Sequence, residues 1–233
     1  MNNHIAIVSA TDMEIKPLLH YLESNAIKHS PVKFQLKDLE IDILITGIGI
    51  LHTTYSLMAY LSEHQPDAWI QVGIGGAFDT SLEIGNVYLI ESETVVDFGA
   101  QDKDGRIINA FELGWIDGEE FPYSNEILSC FYILTEKNIP FASGMTTIHS
   151  HGSRQKIEKL TEGLHGQIEN MEGAAFFYVS LMKSIPFLSL RSVSNYVEDR
   201  DTSKWNISLA INQLNEKIIS LLQQDTGFLK SIH

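Results

Sequence analysis

Several polar residues of this 233-residue chain stand where apolar runs end, and their types suit chemistry on a small polar ligand. Glu14 follows the β-rich run 4–10, in Ser9-Ala10-Thr11-Asp12-Met13-Glu14. A carboxylate at the carboxyl end of a strand can reach a cleft and activate water, or it can simply favour the N-terminus of the next helix. Glu172 heads the run Met171-Glu172-Gly173-Ala174-Ala175-Phe176-Phe177, a helix apolar almost all round and therefore buried. A carboxylate entering such a helix is costly unless it is paired or faces a polar ligand. Two adjacent ribose hydroxyls would serve as donors, and so would local backbone amides. Asn195 closes Arg191-Ser192-Val193-Ser194-Asn195, the polar end of a buried strand, with both a donor and an acceptor to offer. Asn also favours turns. Trp205 can stack on an aromatic ligand or pack in the core.

The glycine clusters Gly47-Ile48-Gly49 and Gly73-Ile74-Gly75-Gly76 let backbone amides approach a ligand, and they are equally consistent with plain strand-to-helix turns. Neither has the full dinucleotide-binding spacing, and no Lys-Ser/Thr follows as in a P-loop. His149 and His151 form an HxH pair with no third ligand at a telling spacing, so the pattern favours an unliganded site over zinc.

The elements that must position these residues alternate between strand and helix. Strand signals fall at 4–10, 33–36, 40–46, 68–72, 86–91, 93–98, 139–143, 167–170 and 187–192. Helix signals fall near 15–22, with Ile15, Leu18, Leu19 and Leu22 on one face, and after Gly49, with Leu51, Tyr55, Met58 and Leu61 on one side. Further helices are expected near 125–137, 154–162, 171–183 and 206–223. Residues 101–122 are polar and turn-rich, with Asp104-Gly105 as a hairpin signal. The alternation implies one α/β layered domain over residues 1–233, with ligands bound beyond the carboxyl ends of the strands.

Composition narrows the function. With 30 acidic and 16 basic side chains the formal net charge is −14, which repels nucleic acid and anionic membranes. The lone Cys130 cannot make an internal disulfide, and the chain start lacks the basic region of a signal peptide. The longest apolar runs fall short of the ~20 residues that span a bilayer. A cytoplasmic protein is expected.

Taken in order, these pieces resemble the hydrolytic branch of the nucleoside phosphorylase/nucleosidase superfamily. The resemblance runs through the Ala10-to-Glu14 turn, Gly47-Ile48-Gly49, the segment GIGGAFDTSLEIGN at 73–86, Ser143-Gly144, Met171-Glu172-Gly173-Ala174 and the Arg191-to-Asn195 strand end. Within that branch, the stretch from Val96 to Asp102, with Asp104-Gly105, and the stretch from Arg191 to Asn206 look like the futalosine hydrolases, which release hypoxanthine on a menaquinone pathway. The resemblance implies a three-layer α/β/α sandwich with a mixed central sheet, a purine nucleoside substrate and no metal or organic cofactor. It implies Glu14 as general base for water, Met171 and Glu172 on the ribose, and the base near Thr147 and Ile148 against Asn195. It also implies Gly75 in the substrate site, Trp205 as an aromatic lid, and a homo-oligomer in which part of 97–122 caps a neighbour's site. Adenine-cleaving nucleosidases carry Asp at the position of Asn195 and Phe at that of Thr147, so the departures here point away from adenine.

Hydrolysis through an oxocarbenium-like ribose needs a donor to the leaving base, negative charge by the sugar and a held water. Asn195, Glu172 and Glu14 suit those tasks in turn. Phosphorolysis would need a cationic phosphate site near the glycine clusters, and no Lys or Arg lies between Asp38 and Lys103. A methylthioadenosine/S-adenosylhomocysteine nucleosidase and a non-catalytic nucleoside-binding protein are the other readings.

Overall fold

A computed structural model of the chain describes residues 3–103, 105–130, 139–150, 166–199 and 201–224. In the first strand, β1 (Asn3–Ser9), alternate residues point to opposite sides of the sheet, and both sides are buried. Ile5 and Ile7 join one core cluster, with Ile15, Leu18 and Leu22 of α1 (Asp12–Asn25) and Leu214, Ile218 and Leu221 of α4 (Ile207–Gln223). Ala6 and Val8 join the other, with Leu57 of α2 (Ile50–Glu63) and Phe176 and Phe177 of α3 (Gly173–Met182). Two helix layers therefore sandwich the sheet, as expected for an α/β/α architecture.

The remaining strands are β2 (Ile27–Ser30), β3 (Lys33–Leu36), β4 (Leu39–Ile45), β5 (Ala68–Ala77), β6 (Val87–Val95), β9 (Leu128–Ser129), β10 (Phe141–Thr146), β11 (Ile168–Asn170) and β12 (Phe187–Tyr196). Their order is β11-β10-β6-β12-β5-β1-β4-β3-β2, with β9 paired to β6 and a separate hairpin of β7 (Gly99–Gln101) and β8 (Ile107–Asn109). Parallel and antiparallel pairs are mixed, and β11 also pairs antiparallel with β5, placing Glu169 opposite Gly76. Five strands thus close on themselves at the carboxyl end of β5, where the polar strand ends converge.

The end of β5 departs from expectation. Residues 73–76 are not a turn but the continuation of the strand. Their glycines serve close approach: a Cβ at Gly73 would lie 2.0 Å from Arg191 Nη1, and one at Gly75 would lie 2.6 Å from both the Glu169 carbonyl and Ile168 Cγ2. Gly47 and Gly49 do form a turn, with φ of 84° and 89°, a region L side chains avoid. The two strands expected at 86–91 and 93–98 are one, β6. Register slips between Ala142 and Ser143 of β10, where Ile90 and Ser92 are successive partners and Glu91 bulges out. A bulge breaks the alternation of side chains and reads as a strand end.

Two further differences concern helices and one concerns a strand. Residues 128–129 are strand rather than helix, after positive φ at Asn125 and Glu126; the rest of the expected 125–137 helix, 131–137, lies outside the described residues. So do the expected helix at 154–162, Asp104 and His151. On α2 the expected apolar stripe divides: Leu51 and Tyr55 are 83% and 76% exposed and Met58 is exposed too, whereas Leu61 packs on the core that Thr53 and Leu57 face. β2 was not expected; its pattern is largely exposed and lacks an apolar run.

The position of Glu14 is fixed from across the molecule. Pro17 interrupts α1, and the buried Asn215 of α4 accepts from Leu18 N (2.9 Å) and donates to the Glu14 carbonyl (2.7 Å). In an uninterrupted helix those two backbone groups would bond each other. Asn215 therefore ties α4 to α1 one turn from the Glu14 side chain.

Candidate active site

Glu14 is buried, and its two oxygens face different ways. Oε2 accepts from Thr11 N (3.1 Å), Thr11 Oγ1 (3.0 Å) and Ser9 Oγ (3.3 Å), which completes a capping box at the head of α1. Oε1 accepts from Ile74 N (3.1 Å), in the strand that carries the glycines. One oxygen thus caps the helix, and the other reaches the converging strand ends.

The pairing of β12 with β5 sets Arg191 opposite Gly73. The missing side chain at 73 leaves room for the guanidinium, whose Nη1 shares that space with Glu14 Oε1. Nη2 lies 3.6 Å from Glu172 Oε2, and Glu172 Oε1 accepts from Gly49 N (3.0 Å). Arg191 is almost wholly buried, and its Nε and Nη2 have no hydrogen-bond partner among the described residues. Buried unpaired donors are rare and call for an occupant. The cluster is therefore one buried cation beside Glu172, with Glu14 Oε1 bordering the same gap above Gly73. Neither neighbour in sequence nor local periodicity announces Arg191; only strand register does.

Behind Glu172 lies Glu93, fully buried on β6. Its Oε2 accepts from Thr146 Oγ1 and its Oε1 from Asn170 Nδ2, both at 2.8 Å. Burial pushes its carboxyl up to about 7, aided by the charge of Glu172 and opposed by Arg191 and the two donors. A raised carboxyl stabilises the fold fully below its unfolded value, about 4.5, and loses that contribution as pH rises through about 7. The expected outcome is a wild-type stability, relative to Glu93→Gln, on the order of 3 kcal/mol greater at pH 4.5 than at pH 8. Denaturant melts of both proteins at the two pH values check it, and an unchanged difference would show that Glu93 does not titrate there.

The other residues singled out from sequence take varied places. Asn195, half-buried, donates through Nδ2 to the Tyr196 carbonyl (3.0 Å) and accepts at Oδ1 from Ser194 Oγ (2.8 Å). A carbonyl can only accept, so Tyr196 fixes which end of the amide carries the donors and leaves one N–H over. Asn195 stands opposite Gly76, and Ser194 also donates to the Gly75 carbonyl (3.0 Å). Thr147 is buried, its hydroxyl spent on the His149 carbonyl (2.9 Å) and its amide on the Asn170 carbonyl (2.9 Å). Ile148 is exposed, and its amide donates to both oxygens of Asp97 (3.0 and 2.9 Å), which also meets His149 Nδ1 at 3.3 Å. Met171 bridges β11 and α3, half-buried, beside Glu172. Trp205, half-buried, follows a short 3₁₀ turn (Thr202–Lys204), and the next residue's amide donates to the Ser194 carbonyl (2.8 Å). The structure thus brings Glu14, Glu172 and Arg191 directly together, and ties Gly75 to Asn195 through Ser194. Arg191, Glu93 and Asp97 are the polar residues to which sequence reasoning gave no role.

Comparison with known proteins places the chain in a family. The family model described as the phosphorylase superfamily matches residues 4–224. The chain belongs to that superfamily. Among its members, a futalosine hydrolase of Thermus thermophilus is 24% identical over 223 residues, covering 88% of this chain and 93% of that protein. A 5′-methylthioadenosine/S-adenosylhomocysteine nucleosidase of Staphylococcus aureus is 27% identical over 203 residues, covering 82% and 86%. The crystal structure of the corresponding Neisseria meningitidis nucleosidase, in complex with methylthio-immucillin-A, superposes with a TM-score of 0.76 at 15% identity, over 95% of this chain and 99% of that one. The superfamily fold is therefore that of the nucleosidases as well as the phosphorylases.

Proposed function

We propose that this protein, an N-glycosyl hydrolase of the phosphorylase superfamily, cleaves the bond between hypoxanthine and ribose in futalosine, within a single domain spanning 1–233. The observation that carries the hydrolytic reading is the cluster of Glu14, Arg191 and Glu172. Water needs an acceptor for its proton and a donor for its oxygen, and Glu14 Oε1 and Arg191 Nη1, which border one gap above Gly73, would supply both. A phosphate ion would instead meet the two carboxylates that flank the one cation, so phosphorolysis is disfavoured electrostatically. In the reaction, oxygen of water bonds to C1′, its proton passes to Glu14, and the C1′–N9 bond breaks with its electron pair going to the purine. Glu172 takes the ribose hydroxyls and offsets the positive charge that develops on the sugar. No step asks for a metal or organic cofactor.

The 6-oxopurine reading rests on Asn195. Hypoxanthine shows two acceptors, N7 and O6, on the edge where adenine shows an acceptor and a donor. The spare N–H of Asn195, oriented by Tyr196, suits the former. An ionised Asp there would face the Tyr196 carbonyl and both base acceptors, so Asn195→Asp is expected to lower kcat/KM for futalosine roughly ten- to a hundredfold. The same change should narrow or reverse the preference over the 6-amino analogue. Thr147, Ile148 and Met171 would border the nucleoside, with Trp205 over it. The test is a panel of futalosine, inosine and methylthioadenosine, with and without phosphate, analysed for free base, free sugar and sugar 1-phosphate. A 1-phosphate that scales with phosphate would sink hydrolysis; an Asn195→Asp protein with an unchanged substrate ratio would remove Asn195 from base selection.

A homo-oligomer is supported by the outward residues Leu51, Tyr55 and Met58 of α2 and Ile48 in the turn before it, which lie exposed, as do Tyr178 and Met182 of α3. Exposed apolar surface of that extent marks an association face. Sedimentation at micromolar concentration giving only the 26.2 kDa monomer would exclude it. No helix among the described residues is long and apolar enough to cross a membrane.

A further inference from the structure

We infer that Glu93 is a positioning residue for the ribose carboxylate: through Thr146 and Asn170 it holds the turn that carries Glu172, and the network does so whether or not Glu93 bears a proton. The inference rests on the nucleosidase reading, and concerns a residue that touches no substrate in it.

The first amides of a helix have no partner within the helix and must find one elsewhere. At the head of α3 the side chains of Asn170 and Thr146 meet that need. Asn170 Oδ1 accepts from Glu172 N (3.1 Å) and Gly173 N (2.6 Å), and Thr146 Oγ1 accepts from Ala174 N (2.7 Å). These two side chains come from β11 and β10, and what orients both is the one carboxyl between them. Glu93 Oε1 takes the Asn170 amide hydrogens, which turns its oxygen toward the helix, and Oε2 takes the Thr146 hydroxyl. Room for this carboxyl is made by two glycines. A Cβ at Gly144 would lie 2.2 Å from Glu93 Oε1, and one at Gly173 would lie 2.0 Å from it. Gly173, next to Glu172, is thus explained by Glu93 rather than by helix geometry.

The charged groups that face Glu93 are Arg191 from β12 and Glu172 from the head of α3; its partners on β10 and β11 do not titrate. Its carboxyl titrates near neutrality, yet a proton on Oε2 need not break the network. Oε2 would then donate to Thr146 Oγ1, and the hydroxyl hydrogen would turn to Asn170 Oδ1, 3.3 Å away. The amides of Glu172, Gly173 and Ala174 keep their acceptors in both states. A carboxamide at 93 reproduces the protonated arrangement, while an apolar side chain of the same length leaves both Asn170 and Thr146 undirected.

The test compares wild type, Glu93→Met, Glu93→Gln and Thr146→Val by steady-state base release. Because Glu172 both grips the ribose and offsets the charge that develops on it, Glu93→Met is expected to raise KM about tenfold and to lower kcat by about three- to tenfold. Glu93→Gln should return KM to within about threefold of wild type. Thr146→Val, isosteric and removing only one arm, should raise KM about threefold, and it keeps the inference open to refutation if Glu93→Met does not fold. A folded Glu93→Met or Thr146→Val with wild-type KM would overturn the inference, as would a Glu93→Gln as impaired as Glu93→Met. A residue that served stability alone would lower the melting temperature and leave KM of the folded enzyme unmoved. Failure of the underlying reading looks different: wild type itself would release no base from any nucleoside of the panel, which would overturn both.

Discussion

Turnover by a Glu14→Gln protein is expected to fall about 10²–10⁴-fold, the usual contribution of a general base. The amide has the shape of the carboxylate and cannot take water's proton. The hydrogen bonds around Glu14 add a second, smaller consequence. Four donors converge on the two oxygens, three on Oε2 and the Ile74 amide on Oε1. A glutamine can keep its oxygen toward the capping box only by turning its NH2 toward Ile74 N and Arg191, donor against donor. Leaving a buried amide without an acceptor costs about 1–3 kcal/mol, so the variant should also melt several degrees lower. The rate loss is expected in kcat, measured in single-turnover base release at saturating nucleoside and below the melting transition. Near-normal kcat in that experiment would take Glu14 out of the mechanism and leave it a helix cap.

Much of this site could be read before any coordinates, for physical reasons that also mark where such reading stops. Glu14 and Asn195 follow apolar runs and Glu172 precedes one, so their place at the rim of a buried sheet follows from the runs themselves. The residues that complete the site are set by register between distant strands, which no local pattern records. Arg191 meets Gly73 only because β12 lies beside β5, and the scarcity of cations between Asp38 and Lys103 gave no hint that one enters from residue 191. Glu93 reaches Asn170 and Thr146 from a strand whose bulge at Glu91 disguises its continuity. Glycine is ambiguous in the same way: Gly47 and Gly49 turn the chain, whereas Gly73 and Gly75 make space in a strand. An apolar stripe, finally, tells which residues share a face and not what covers it. Leu51 and Tyr55 of α2 have the spacing of a core face and point away from the core.

Arg191 should be the residue whose loss the fold tolerates least among those in the site. It is a buried cation between two buried carboxylates, 3.6 Å from Glu172 and sharing the space above Gly73 with Glu14. Such a cluster does not itself argue for stability, because desolvating three charges offsets much of their attraction, and two of the guanidinium nitrogens lack partners. Removing only the cation is another matter. Arg191→Met fills a similar volume, pays no desolvation, and leaves buried Glu172, with Glu14 across the gap at Gly73, without the cation near them. Breaking a buried pair in this way typically costs about 3–5 kcal/mol. For a domain of this size that is a fall of roughly 6–20 °C in melting temperature. Arg191→Lys keeps the charge on a shorter, single-ended side chain that cannot address both carboxylates, and should fall between the two. Activity should follow a steeper course, since on the proposed mechanism the guanidinium donates to the attacking water. Base release by Arg191→Met is expected to drop at least 10²-fold below its unfolding transition, comparable to losing a preorganised donor in other sites. Thermal melts and base release measured side by side for the three proteins decide the matter. An Arg191→Met protein as stable as wild type would mean that the two carboxylates do not need this cation, and one as active would leave the water to Glu14 alone.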